Sequence, residues 1–157
     1  MKTLALGILC AALVSVSAAA EARAQSQAEL NREACAQYKV ADDELNRTYA
    51  LVLKEYKADA VFVESMRAAQ RAWLAYRDAH LEAMYPGRDK GLTYGSAYPM
   101  CRCYVLAEVT RERTAALQRW VTGLEEGDVC GGSIRTRGQD RAKARRKAKG
   151  RRVAASL

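Results

Sequence analysis

Apolar and small side chains recur along the chain in steps of three and four. Leu30, Ala34, Tyr38, Ala41, Leu45, Tyr49, Val52 and Tyr56 trace one such stripe, the spacing that stacks side chains on one face of an α-helix. It predicts a first helix over 28–56. A second stripe, Phe62, Met66, Ala69, Trp73, Tyr76, His80 and Met84, predicts a helix over 59–85. Asp59 is placed to cap its start, and the Pro86-Gly87 pair to end it. A third stripe follows Pro99 through Cys103, Leu106, Thr110, Arg113, Leu117 and Trp120, with Gly123 placed to terminate the helix. No segment sustains period-two alternation, so no sheet is expected. Three amphipathic helices, one tight turn and one longer connection make the expected fold all-α, an antiparallel three-helix bundle.

The helical pattern fails at both ends. Lys2 is followed by the apolar run Leu4 to Val16 and then by Ala18-Ala19-Ala20 and Ala22-Arg23-Ala24, the order of charge, hydrophobic stretch and small residues found in a secretory signal. Residues 1–24 are therefore read as a signal peptide, with the mature chain starting near Gln25 in the periplasm or outside the cell. The run of 13 apolar or small residues is shorter than the roughly 20 that span a membrane, so no integral span is expected after cleavage. From Gly131 the hydrophobic periodicity stops, and residues 131–157 carry ten basic side chains against Asp140 alone. Charge at that density repels itself and predicts a disordered tail whose partner would be an anionic polymer, lipid surface or nucleic acid. Residues 25–130, the helical domain, carry 14 basic and 16 acidic side chains, so the net charge of +8 on the 157-residue chain belongs to the tail.

Export makes disulfides the default for the four cysteines left after cleavage, Cys35, Cys101, Cys103 and Cys130. In an up, down, up topology the first and third helices start at the same end, and Cys35 and Cys103 each lie within about two turns of it. They can meet, which leaves Cys101 for Cys130. That second bridge is short of reach. A helix from Cys101 to Thr122 climbs about 30 Å, the residues from Thr122 to Cys130 return at most about 28 Å, and a bridge adds about 5.5 Å. Either the chain folds straight back, or the helix starts later, or Cys130 pairs with another molecule.

Catalytic chemistry has little to stand on. The single histidine, His80, excludes a multi-histidine metal centre, and no serine or cysteine is placed by sequence to be its nucleophile. Cys101-x-Cys103 lacks zinc-ligand spacing and has no thioredoxin-like alternation of strands and helices around it. The chain is read as a non-enzyme without cofactor or metal. Gln70, Trp73 and Arg77 fall on one helix face, where Asn46 and Arg113 of the other helices could join them and Asp43 or Asp42 could pair with Arg77. The expected role is a polar network that fixes helix register.

Four blocks carry a resemblance. They are Cys35 with Ala41-Asp42-Asp43-Glu44-Leu45-Asn46-Arg47-Thr48-Tyr49, then Ala69-Gln70-Arg71-Ala72-Trp73-Leu74-Ala75-Tyr76-Arg77-Asp78-Ala79, then Thr110-Arg111-Glu112-Arg113-Thr114-Ala115-Ala116-Leu117. In order and spacing the chain resembles the lysozyme-inhibitor LprI-like family of exported bacterial proteins over about 27–120. The family often places cysteines where this chain has Leu81 and Val105, while Cys101, Cys103 and Cys130 are this chain's own arrangement. The resemblance implies a binding protein whose partner is lysozyme. The connection from Tyr85 to Pro99, rich in Tyr and Gly, is the expected recognition element, since tyrosine makes adaptable contacts at low entropic cost. Its expected partner contacts are Arg88, Asp89, Lys90, Tyr94 and Tyr98, with Asp89 offered to the enzyme's cleft.

Overall fold

In the computed structural model, which describes residues 26–138, Ser26 starts the first long helix by a reciprocal cap. Its Oγ accepts from the Glu29 N–H at 3.3 Å, and its own N–H donates to Glu29 Oε2 at 2.8 Å. These bonds hold the Glu29 carboxyl below its usual value, the Ser26 backbone N–H contributing most. The helix, α1, runs over Gln27–Glu55 and turns Ala34, Ala41, Leu45, Thr48 and Val52 fully inward. A tight turn follows. Asp59 accepts from the Phe62 N–H at 2.9 Å and starts α2, Ala60–Met84. The expected connection is more ordered than a plain loop: it contains the short helix α3, Lys90–Tyr94, and a 3-10 turn, Gly95–Ala97, before α4 begins, Tyr98–Thr122. The expected signal segment 1–24 and the tail beyond 138 lie outside the described residues.

Contacts along the helices set their directions. Cys35 of α1 is bonded to Cys103 of α4, with their Cα atoms 4.9 Å apart, and at the other end Tyr56 meets Trp120. The two helices therefore run side by side in the same sense, packed through the small residues Ala34, Ala41 and Ala107. The chain comes back along them as α2: Phe62 lies beside Trp120, Gln70 bonds Arg113, and Arg77 reaches Tyr38. The apolar core gathers at the α1–α2 turn, where Leu45, Val52, Tyr56, Phe62, Met66 and Leu117 are buried together.

The inward face of α2 differs from the expected stripe. From Met66 it continues through Gln70, Trp73, Arg77 and Leu81, whereas Ala69 is exposed and Tyr76 and Met84 keep 55% and 51% of their surface. Steps of four, three, four and four from Met66 stay on one helix face, and two of those positions are polar, so hydrophobic periodicity alone follows the wrong neighbours. The polar positions are paired: Arg113 Nε donates to the Oε1 of buried Gln70 at 3.1 Å. Burial pulls the Arg113 guanidinium below its ordinary value, opposed by Tyr49, and its Nη2 is buried with no partner among the described residues.

The chain does not end its packing at 130. Gly123, at φ +74°, adopts a conformation that side chains resist, and so ends α4 and turns the chain. Leu124 then pairs with Thr136 in an isolated parallel bridge, with Leu124 N donating to Arg135 O at 2.9 Å and Arg137 N to Leu124 O at 2.8 Å. Between them the backbone passes so close that a Cβ on Gly131 would meet Leu124 Cδ1 at 2.7 Å. The return buries Ile134, bonds Ser133 to the Trp120 indole at 3.1 Å, and lays the Arg135 guanidinium 4.0 Å from the Tyr56 ring centre. The expectation that nothing beyond Gly131 enters the core is thus corrected by Ile134, one apolar residue in a polar segment and so invisible to periodicity. Two of the cysteine expectations part here. Cys35–Cys103 is formed, while Cys101 and Cys130 are both free thiols. Cys101 sits in the first turn of α4 and Cys130 in the return beyond its last, separated by a helix that climbs about 30 Å.

Three measurements test this account. Cys35→Ser, which opens a loop of 68 residues, is expected to lower unfolding free energy by about 4 kcal/mol, read by urea denaturation of the oxidised chain. Gln70→Leu strips the half-buried Arg113 of its acceptor and is expected to cost about 1–3 kcal/mol in the same assay. The Glu29 bonds contribute above the carboxyl's unperturbed pKa of 4.5 and are lost as pH falls through its lowered value. The protection factor of the Ser26 amide, exchange relative to an unfolded chain at the same pH, should accordingly fall in acid while those of the core amides do not.

Candidate functional site

The connection between α2 and α4 is held by bonds that begin with Pro86. Proline cannot continue α2, and its carbonyl accepts from the Tyr94 hydroxyl at 2.9 Å. Asp89 caps α3, its Oδ1 accepting from the Leu92 N–H at 2.9 Å while its carbonyl takes the Thr93 hydroxyl at 2.8 Å. Lys90 pairs with Glu82 at 2.8 Å and also donates to the Tyr85 carbonyl. Gly95, at φ +71°, makes the bend into the 3-10 turn. Asn31 of α1 donates to the Ser96 carbonyl at 3.0 Å and ties the connection to the bundle.

Three tyrosines form its centre. The Tyr85 ring meets Tyr94 and Tyr98 edge-on, with centres 5.2 and 5.4 Å away, and Tyr94 and Tyr98 stack at 6.0 Å. Such contacts add about 0.5–1.5 kcal/mol each beyond burial. Burial raises the Tyr85 hydroxyl's pKa, and the nearby Cys101 thiol and the other two tyrosines add to it, so the phenol stays neutral. Among the side chains of the connection that face solvent, two are a large apolar group and an unengaged charge. Leu92 keeps 87% of its surface, and Arg88 is exposed and makes no hydrogen bond or ion pair with the described residues.

Beside the connection, Tyr38, Arg77, Leu81, Tyr98 and Arg102 line a cleft of about 370 Å³. Arg77 is held there from three sides: it pairs with Asp78 at 2.8 Å, reaches the Tyr38 hydroxyl at 3.4 Å, and lies 5.5 Å from the Trp73 ring centre. The expected polar network therefore divides. Gln70 with Arg113 forms one part and Trp73 with Arg77 the other. Asp43 and Asn46 join neither. On α1 they lie off the face of Ala41, Leu45 and Thr48, and each is satisfied one turn away, Asp43 by Lys39 at 3.0 Å and Asn46 by Asp42 at 3.0 Å. Of the five expected partner contacts, Asp89, Lys90, Tyr94 and Tyr98 are occupied inside the connection, and only Arg88 is unengaged. Leu92 and Tyr85 were not singled out by sequence, although Asp89-Lys90-Gly91-Leu92 already has the spacing of a capped helical turn. His80 is half-buried and stacks on Tyr76 at 5.6 Å.

Among the described residues no group of three His, Cys, Asp or Glu side chains is placed to hold a metal ion, and no helix is long and apolar enough to cross a membrane. The model of the family described as lysozyme inhibitor LprI matches residues 17–117, which takes in α1, α2, the connection and most of α4. The return from Gly123 to Arg137 lies beyond the matched residues. An uncharacterized protein, R02472, of Rhizobium meliloti (strain 1021) is 39% identical over 115 residues, covering 66% of this chain and 79% of the relative. No solved structure matches the chain. With the family's own pattern running through all three long helices and the connection they carry, the chain belongs to the lysozyme inhibitor LprI family.

Proposed function

We propose that the chain is an exported binding protein, not an enzyme, that inhibits lysozyme by seating the α2–α4 connection over the enzyme's substrate cleft. The observation that carries this reading is the family match over 17–117, which includes every residue of that connection. The geometry supports it in physical terms. A connection already fixed by its cap, its tyrosine cluster and the Lys90–Glu82 pair has little conformational freedom left to lose on binding. Charge does not oppose it either: residues 25–138 carry 16 basic and 16 acidic side chains, so the folded part would not repel a basic enzyme, whereas the tail would.

The tail supports a second reading. Beyond Gly138 it holds eight basic residues in 19, enough for salt-dependent retention on an anionic envelope polymer, lipid surface or nucleic acid. The two readings separate in one experiment. Oxidised mature chain, and the same chain ending at Gly138 so that the Ile134 return is kept, are titrated into lysozymes of more than one class acting on bacterial cell walls. Inhibition is expected to saturate with both, at equal or lower concentration for the shortened chain at low salt. Failure of both against every class would overturn the inhibitor reading, and loss of inhibition only on shortening would move the activity from the connection to the tail.

A further inference from the structure

The charged groups at the connection are not equivalent. Asp89 is spent on the Leu92 N–H, and Lys90 on Glu82 and the Tyr85 carbonyl. That leaves Arg88 as the charged side chain of the segment with neither a hydrogen bond nor an ion pair among the described residues, and Leu92 as its large exposed apolar side chain. Arg88 directly precedes the cap residue Asp89, and Leu92 lies on the short turn whose register the two bonds to Asp89 fix. The tip therefore offers an unengaged guanidinium and an exposed leucine, while the Asp89 carboxylate is held in the cap, which shifts the expected contact from Asp89 to its neighbours.

We infer that Arg88 and Leu92 are the contact residues, Arg88 pairing with the catalytic carboxylates of a lysozyme and Leu92 packing on the apolar wall of its sugar-binding cleft. The inference rests on the inhibitor reading and adds the chemistry of the contact. A glycosidase cleaves with two carboxyl groups, about 5–5.5 Å apart in retaining enzymes, so its cleft concentrates negative charge in a concave site. A guanidinium matches a carboxylate through two parallel N–H bonds, which an ammonium on a flexible stem does not reproduce. Bound so, Arg88 would hold the acid carboxyl ionised and unable to give its proton to the leaving group. Leu92 supplies the apolar area that a lone ion pair lacks, on a backbone that is already ordered.

The test uses the full mature chain with egg-white lysozyme, a glycosidase of the retaining kind, on suspended cell walls. Thermal melts followed by circular dichroism check that each variant folds; both substitutions are at exposed positions. Arg88→Glu and Leu92→Asp are each expected to raise the half-inhibitory concentration at least about thirtyfold, the scale of an interface hot spot, and Arg88→Lys to recover part of the loss. Inhibition by the unaltered chain is also expected to weaken as pH falls from about 7 to 4, through the range where such carboxyls protonate, and Arg88→Ala to flatten that dependence. If the unaltered chain inhibits while Arg88→Glu and Leu92→Asp stay within twofold of it, this inference is overturned and the inhibitor reading stands. If the unaltered chain inhibits no lysozyme of any class, both fall together.

Discussion

The bond between Cys35 and Cys103 holds α1 and α4 together at one end, with Cα atoms 4.9 Å apart. Much else follows from that approach. Small residues sit along the seam, Ala34, Ala41 and Ala107, and the aromatic part of the core gathers at the far end, around Tyr56, Phe62 and Leu117. Because the two joined helices run in the same sense, no short turn can link them. The chain has to travel back as α2 and then cross from the end of α2 to the start of α4. The connection is the piece that this topology requires.

Helix existence was legible in the sequence because it rests on a strong, repeated signal. Expected bounds of 28–56 and 59–85 meet observed helices at Gln27–Glu55 and Ala60–Met84, since Asp59 and Pro86 mark ends by local chemistry that needs no tertiary contact. The Cys35–Cys103 pairing was legible for a similar reason, both residues being near the same end of helices whose length is fixed by their rise. What escaped was burial without hydrophobicity. The apolar stripe passes over Gln70 and Arg77, which face inward because each finds a partner across the bundle, Arg113 in one case and Tyr38 in the other; their spacing with Trp73 marked them as a polar network, but not that Arg77 would turn to Tyr38 rather than to Asp43 or Asp42. Ile134 escaped for the opposite reason: a single apolar residue makes no pattern.

The connection shows the same division more sharply. Its composition marked it as a place for recognition, yet composition does not say which polar groups are already spoken for. Of the five residues that the sequence suggests as contacts, Asp89, Lys90, Tyr94 and Tyr98 are each used to fix the segment itself, and Arg88 alone is left unengaged. Among the groups left facing solvent are one unengaged guanidinium and one leucine, an assignment that depends on hydrogen bonds formed only after folding.

The return after α4 has a consequence for how the molecule is presented. It folds onto the α1–α2 turn, with Arg135 against Tyr56 and Ile134 buried, and so the backbone leaves the folded part at one pole of the bundle. The connection occupies the other pole, beyond a helix of 25 residues, or about 37 Å of rise. Were the chain moored beyond that pole, it would stand on end, with the mooring and the connection unable to shield each other. A tether attached there could be lengthened, shortened or recharged without altering the connection.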